Sequence, residues 1–192
     1  QPDALVLRAE REIPLPMRRK VAQFCNVDAD AVFQSIDAPT IYQVPLMVHE
    51  QGLDNIILSK TRTGQRGEPD LSRWNEFLVR LSQAAGEVRI GLVGKYVELQ
   101  DAYKSIDEAL MQACTYHGRK VKITYINSER LNDDNVAERL DGQHGIVVAP
   151  GFGPRGTEGK FIALRYCREH DVPTLGICLG MQCMVIEFAR NV

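Results

Sequence analysis

The chain has 192 residues, of which 44% are hydrophobic and 25% are charged, and its formal net charge is −2. A chain of this length buries roughly 70% of its unfolded surface in one or two globular domains, and its near-neutral charge gives no electrostatic reason to bind nucleic acid or a membrane. Its apolar stretches are far shorter than the ~20 residues of a membrane span, and nothing resembles a secretory leader. The five cysteines form no C-x-x-C pair, which argues against a zinc site or a disulfide framework and favours the cytoplasm.

The first sixty residues predict the last part of an α/β domain. Strand, helix, strand and two helical segments follow one another in "DALVLRAE", "PLPMRRKVAQF", "AVFQSI", "IYQVPLMVHEQ" and "LDNIILSK". The stretch "TRTGQRGEPD" concentrates Gly, Pro and charge, which indicates a linker, and "LSRWNEFLVRLSQAA" predicts a short amphipathic helix. We therefore predict domain bounds of 1–60, 61–86 and 87–192. Because the chain opens within a strand and stops just after a helix, we expect it to be a piece of a longer protein.

From residue 87 onward, strands and helices alternate regularly. Four short β-rich runs, separated by helical segments, occur in "VRIGLVG", "VKITYI", "GIVVAP" and "TLGI". This alternation predicts an α/β fold with a doubly wound parallel sheet that helices cover on both faces. Ligands of such sheets bind at the carboxyl ends of the strands, so the loops that follow these runs are the candidate functional loops.

One of these loops contains the stretch "PTLGICLGMQ" at positions 173–182, in which Cys178 stands between Gly176 and Gly180. Gly-x-Cys-x-Gly at a strand-to-helix junction is typical of a nucleophile elbow, and the glycines remove side chains where the backbone must crowd. A helix N-terminus favours a thiolate. The alternative is a buried structural thiol in a short core strand, and only the surrounding pattern favours the elbow.

An acyl-transfer site also needs donors for an oxyanion and a general base. The N–H of Leu179 is the donor expected at an elbow, and Gly151 in "APGFG", at another carboxyl end, is the candidate for the second. His117, His144 and His170 each precede a strand, which predicts that they lie at the amino edge of the sheet, roughly 15 Å from the thiol. His49 belongs to the other predicted domain. The base of Cys178 is therefore not expected in this chain.

Six blocks in chain order resemble the CTP synthase family across nearly the whole sequence. They are "QPDALVLRAE", "RRKVAQFCNV", "IYQVPLMVHEQGLD", "VGKYVELQDAYKSIDEAL", "GFGPRGTEGK" and "GICLGMQCMVIEFARNV". The elbow block is also similar to class I (triad-type) glutamine amidotransferases. The resemblance implies the end of a synthetase domain, a linker and the first half of a glutaminase domain.

The family makes CTP from UTP, ATP and glutamine, so the resemblance implies a glutamine-hydrolysing ligase of pyrimidine biosynthesis. It implies Cys178 as the nucleophile and an oxyanion and glutamine site made of Gly151, Leu179, Gly180, Met181 and Gln182. ATP and Mg²⁺ are the implied cofactors, with the Mg²⁺ ligands outside this chain, and GTP is the implied allosteric activator. A homotetramer is the implied assembly.

The resemblance also implies nucleotide contacts. Lys20 matches a lysine that contacts the phosphates of the pyrimidine nucleotide, although its "RRK" cluster is also what a solvated helix face carries. The implied contacts to the adenine of ATP are Ile36, Asp37 and Ala38, and those to GTP are Phe152 and Arg155.

The sequence departs from the family pattern at two places. Pro150 replaces a glycine in the oxyanion loop, and "IDAPTIY" differs from the usual Asp-Val-Asp-Ser-Ile-Tyr. Two alternatives stay open: another class I amidotransferase or cysteine-elbow hydrolase, and a catalytically silent assembly module. Because the phosphate loop, the His–Glu pair and further glutamine contacts of the family are missing, we expect these 192 residues alone to be inactive.

Overall fold

A computed structural model of the chain describes residues 1–61, 63, 67–99 and 101–192. It divides into two compact units, Gln1–Leu78 and Val79–Val192. The predicted domain bounds at 60 and 87 stay predictions, since the division into units concerns packing alone. Part of the predicted linker, at positions 62 and 64–66, lies outside the described residues.

The first unit contains a parallel pair of strands. β1 (Leu5–Arg8) pairs with β2 (Val32–Ser35) in register from Leu5 opposite Val32 to Arg8 opposite Ser35, and α1 (Leu15–Cys25) connects them. The remaining elements are short 3₁₀ turns at Ala29–Ala31 and Ile41–Gln43 and the helices α2 (Val44–Glu50), α3 (Leu53–Thr61) and α4 (Ser72–Gln83), the last of which runs into the second unit. The predicted strand and helix order is confirmed.

Aromatic side chains of the first unit pack together. The ring of Tyr42 lies 5.9 Å from that of Trp74 and 5.1 Å from that of Phe77, measured between centroids. The indole N–H of Trp74 donates to the Tyr42 carbonyl at 2.8 Å. Such pairs add about 0.5–1.5 kcal/mol each beyond the area that they bury.

The second unit is a four-stranded parallel sheet with the order β4-β3-β5-β6. Its strands are β3 (Glu87–Gly94), β4 (Lys120–Asn127), β5 (Gly145–Val148) and β6 (Thr174–Gly176). Its helices are α5 (Lys104–Tyr116), α6 (Val136–Leu140), α7 (Thr157–Glu169) and α8 (Leu179–Asn191), and a 3₁₀ turn covers Ser128–Arg130. The chain runs from β3 to β4 on one side and then returns to β5 on the other side of β3, so the strand order reverses between β3 and β5.

Alternate residues of the buried strands face two separate cores. Val93 and Val148 belong to a cluster with side chains of α6, α7 and α8, whereas Leu92 and Val147 pack with Tyr103 and with Ile106 and Leu110 of α5. Each fully buried aliphatic side chain contributes about 1.5–3 kcal/mol relative to exposure. Helices thus cover both faces, and the predicted doubly wound parallel α/β fold is confirmed.

Candidate active site

Cys178 forms the turn between β6 and α8 in a backbone conformation that residues with a side chain rarely adopt. Its φ is 51° and its ψ is −109°, outside the regions allowed to an ordinary L-residue. Strain of this kind costs on the order of 1–3 kcal/mol and persists where the surrounding structure enforces it. The N–H of Gly180 closes the turn by donating to the Ile177 carbonyl at 2.8 Å. The predicted strand–turn–helix geometry is confirmed, and the Cys178 side chain is exposed.

The glycines on either side of Cys178 allow a close backbone approach. A Cβ at Gly180 would lie 2.0 Å from the carbonyl oxygen of Val148 on the neighbouring strand. A Cβ at Gly176 would lie 2.5 Å from the backbone nitrogen of Met181. Carbon atoms cannot approach oxygen or nitrogen so closely without displacing backbone. The steric reason predicted for both glycines is therefore confirmed.

The loop that follows β5 lies against this elbow. The N–H of Ala149 donates to the Val93 carbonyl at 2.9 Å, which fixes the start of the loop to β3. A Cβ built at Gly151 would lie 3.6 Å from Cδ2 of Leu179. The structure thus brings together Gly151 and Leu179, the two residues that the sequence proposes as oxyanion donors.

Both candidate donors have a free N–H group. Among the hydrogen bonds of the residues that the structure describes, none uses the N–H of Leu179 or of Gly151 as donor. Leu179 is the first residue of α8, whose first N–H groups lack acceptors within the helix. Two available donors beside an exposed thiol are what a tetrahedral intermediate of acyl transfer requires.

Two lysines that the sequence analysis missed hold the loop. Lys160 on α7 donates from Nζ to the Ala149 carbonyl at 2.7 Å, and Nζ of Lys95 donates to the Phe152 carbonyl. Both side chains are buried, with 1% of Lys160 and 8% of Lys95 exposed. Lys95 follows β3 directly, at the edge where the strand order reverses. That position could have identified it from the sequence as a residue near the site. No feature of the sequence identifies Lys160 in this way, because a lysine on an amphipathic helix normally predicts a solvated face.

The residues proposed to contact GTP lie on the same loop. The Phe152 side chain is 85% exposed. The guanidinium of Arg155 lies 5.5 Å from the centre of the Tyr96 ring and 2.8 Å from the Glu129 carboxylate. The remaining residues of the predicted glutamine site, Met181 and Gln182, are exposed in the first turn of α8. Their roles stay predictions.

The residues proposed to bind nucleotides in the first unit are exposed or half-buried. Lys20 is exposed on α1. Ile36, Asp37 and Ala38 follow β2 directly, at its carboxyl end, where the Asp37 carboxylate accepts a hydrogen bond from Arg8. Among the described residues, no hydrogen bond or ion pair links Lys20 to these three residues. The ATP and UTP contacts stay predictions.

The histidines of the second unit lie at the amino edge of the sheet, as predicted. The N–H of Arg89, near the start of β3, donates to Nδ1 of His144 at 2.9 Å. His117 caps the end of α5 before β4, and His170 caps the end of α7 before β6 and stacks on Tyr166. All four strands are parallel, so these residues lie at the opposite edge from Cys178.

The other thiols differ in exposure. Cys167 and Cys183 are buried, and burial raises the pKa of both thiols. Cys114 is half-buried, and desolvation raises its pKa as well. Cys25 is exposed at the last position of α1. Cys167 and Cys183 are thus core side chains of α7 and α8.

Neither a metal centre nor a membrane span is found in the described ranges. They contain no group of three or more His, Cys, Asp or Glu side chains that could hold a metal ion. None of the helices in those ranges is long and apolar enough to cross a membrane.

Comparison with known proteins gives two family matches on different parts of the chain. Residues 1–63 match the family model described as CTP synthase N-terminus, and residues 98–192 match that described as Glutamine amidotransferase class-I. The CTP synthase of Bacteroides fragilis is 60% identical over 192 residues, and that of Porphyromonas gingivalis is 57% identical over 192 residues. Each alignment covers 100% of this chain and 36% of the relative.

A solved structure is similar as well. The glutaminase domain of a Trypanosoma brucei CTPS, with bound acivicin, matches 55% of this chain and 41% of its own with a TM-score of 0.50 and 40% sequence identity. The chain therefore spans about a third of the length of the curated relatives that it matches, and the match extends along all of it. From these matches and the parallel α/β fold we conclude that the chain belongs to the CTP synthase family and carries sequence of both its synthetase and its glutamine amidotransferase parts.

Proposed function

We propose that this chain provides the glutaminase nucleophile and part of the nucleotide site of an enzyme that converts UTP to CTP with glutamine and ATP. The observation that carries the proposal is the strained Cys178 turn with the free N–H groups of Leu179 and Gly151 beside it. The trypanosomal glutaminase domain that contains acivicin supports it by similarity.

The chemistry begins at the thiolate. Sγ of Cys178 attacks the side-chain amide carbon of glutamine, and the π electrons of the carbonyl move to oxygen. The N–H groups of Leu179 and Gly151 stabilise the resulting oxyanion. When the tetrahedral intermediate collapses, the C–N bond breaks and the nitrogen leaves as ammonia after accepting a proton. Water then hydrolyses the thioester to glutamate and regenerates the thiol.

The proton transfers need a base that this chain does not hold in place. All four histidines are described, and three of them lie at the far edge of the sheet while His49 belongs to the first unit. General acid–base assistance contributes about 10²- to 10⁴-fold in rate. We therefore propose that the 192 residues by themselves are slowly alkylated at Cys178 by an electrophilic glutamine analogue and do not turn over glutamine.

The ammonia is proposed to react at the synthetase part of the whole enzyme. ATP phosphorylates the 4-oxygen of UTP, ammonia adds at C4, and inorganic phosphate leaves to give CTP. Lys20 is proposed to bind nucleotide phosphate, and Ile36, Asp37 and Ala38 are proposed to contact ATP. Phe152 and Arg155 are proposed to contact GTP, which activates the enzyme. A cytoplasmic homotetramer that uses Mg²⁺ completes the proposal.

The test uses a protein of the relatives' full length that contains these residues, with two variants that separate the half-reactions. Cys178→Ala is expected to abolish glutamine-dependent CTP formation while CTP formation from added ammonia continues. Lys20→Ala is expected to raise the KM for UTP and to leave glutamine hydrolysis near the wild-type rate. Glutamine hydrolysis that persists in Cys178→Ala would overturn the assignment of the nucleophile. An unchanged KM for UTP in Lys20→Ala would show that Lys20 is a solvated side chain that does not bind nucleotide.

A further inference from the structure

Lys160 is a buried lysine beside the candidate site. Only 1% of it is exposed, although lysine is almost never fully buried without a partner. Its ammonium group has three donors. Among the contacts of the described residues, Nζ has a single hydrogen bond, to the Ala149 carbonyl at 2.7 Å.

Lys160 and Lys95 hold the oxyanion loop from both sides of Gly151. Lys160 binds the carbonyl two residues before Gly151, and Lys95 binds the carbonyl of the residue after it. Nζ of Lys160 lies 3.7 Å from the position that a Cβ of Gly151 would occupy. With both flanking carbonyls engaged, the N–H of Gly151 remains free between them.

The charges around Lys160 define its electrostatic setting. Burial lowers the pKa of the ammonium, and the neighbouring Lys95 lowers it as well, whereas Cys183 and Cys178 act in the opposite direction. Cys183 is buried in the core of α8, and burial raises its pKa. Cys178 is the exposed thiol. Burial is the largest of these effects, so the Ala149 carbonyl is the partner that offsets desolvation of the ammonium.

We propose that Lys160 is a positioning residue of the glutaminase site: together with Lys95 it holds the loop 149–153, so that the Gly151 N–H stays free to bind the oxyanion. This inference rests on the proposed function, because it takes Cys178 as the nucleophile. It explains why a buried helix position carries an ammonium where an apolar side chain would cost less desolvation.

The test measures the kinetics of glutamine hydrolysis, and the alkylation of Cys178 by iodoacetamide, in a protein of the relatives' full length that contains these residues. The variants are Lys160→Met, which keeps the length and removes the charge, Lys160→Arg, which keeps the charge, and Lys122→Met, which removes an exposed lysine of β4. We expect Lys160→Met to lower kcat for glutamine hydrolysis about 100-fold, the effect of losing one oxyanion donor, while the KM for glutamine and the rate of Cys178 alkylation stay near the wild-type values. Lys160→Arg should recover part of kcat, and Lys122→Met should match the wild type.

A kcat in Lys160→Met equal to that of the wild type would overturn the proposal, as would an equal loss of kcat in folded Lys160→Met and Lys160→Arg. If the Met variant does not fold, Lys95→Met is measured in its place, because Lys95 holds the same loop from the other side of Gly151. A kcat of Lys95→Met equal to that of the wild type would also overturn the proposal. Failure of the proposed function would show differently, as glutamine hydrolysis that persists in Cys178→Ala.

Discussion

The chain has two exposed cysteines, and they lie at opposite ends of helices. Cys25 is the last residue of α1, next to Asn26, which ends the helix in a relaxed left-handed conformation. Cys178 precedes the first residue of α8 in a strained turn. A helix carries partial positive charge at its N-terminus and partial negative charge at its C-terminus. We therefore expect the two exposed thiols to differ in reactivity, because a helix N-terminus favours a thiolate and a helix C-terminus does not.

Gly180→Ala is expected to have the strongest effect of the three changes, because it distorts the turn at Cys178 and leaves the surroundings of Cys25 as they are. The new Cβ meets the Val148 carbonyl, only 2.0 Å away, so the first turn of α8 must shift. We expect the free energy of unfolding to fall by about 2 kcal/mol and alkylation of Cys178 to slow, with Cys25 unaffected. Chemical denaturation and thiol mapping measure both. Gly67→Ala is the control, since a Cβ there meets nothing within 4 Å, and unchanged stability in Gly180→Ala would refute the close approach.

In the unmodified chain, the two exposed thiols are expected to differ in their rates of alkylation. At pH 7, limiting iodoacetamide is expected to label Cys178 about tenfold faster than Cys25, because only Cys178 combines exposure with a helix N-terminus. Cys114 should react more slowly still, since desolvation raises its pKa and so lowers its thiolate fraction at any pH below that value. Its labelling should accelerate as the pH rises past 9. Labelling of Cys25 or Cys114 ahead of Cys178 would contradict the elbow assignment.

Substitution by glycine at the two exposed cysteines is expected to change the free energy of unfolding slightly and in opposite directions. Cys178→Gly removes the strain of a side chain at φ 51°, and we expect it to raise the free energy of unfolding by about 1 kcal/mol. Cys25→Gly places glycine in the last helical position of α1 and should lower it by about 0.5 kcal/mol. Urea unfolding of both variants checks the signs. A destabilised Cys178→Gly would mean that the thiol contributes packing that outweighs its strain.

The elements and the elbow were predictable because their signals are local. Short β-rich runs separated by helical segments located the four strands of the second unit, and the spacing of Gly176, Cys178 and Gly180 located the turn. The histidines could be placed at the amino edge because parallel strands share one direction. The contact of Lys160 was not predictable, since its burial depends on where α7 packs against the loop, and a lysine on an isolated helix is expected to be solvated.

The position of the Val148 carbonyl affects the distance between the two proposed oxyanion donors. It accepts the N–H of Ile177 at 3.0 Å and lies directly against Gly180, while the oxyanion loop begins at the very next residue. Both proposed donors, Leu179 and Gly151, are therefore located relative to one peptide group. We therefore expect a displacement of β5 to move both donors together and to leave the distance between them nearly unchanged. The spacing of Leu179 and Gly151 is thus set by their common attachment to the Val148 peptide.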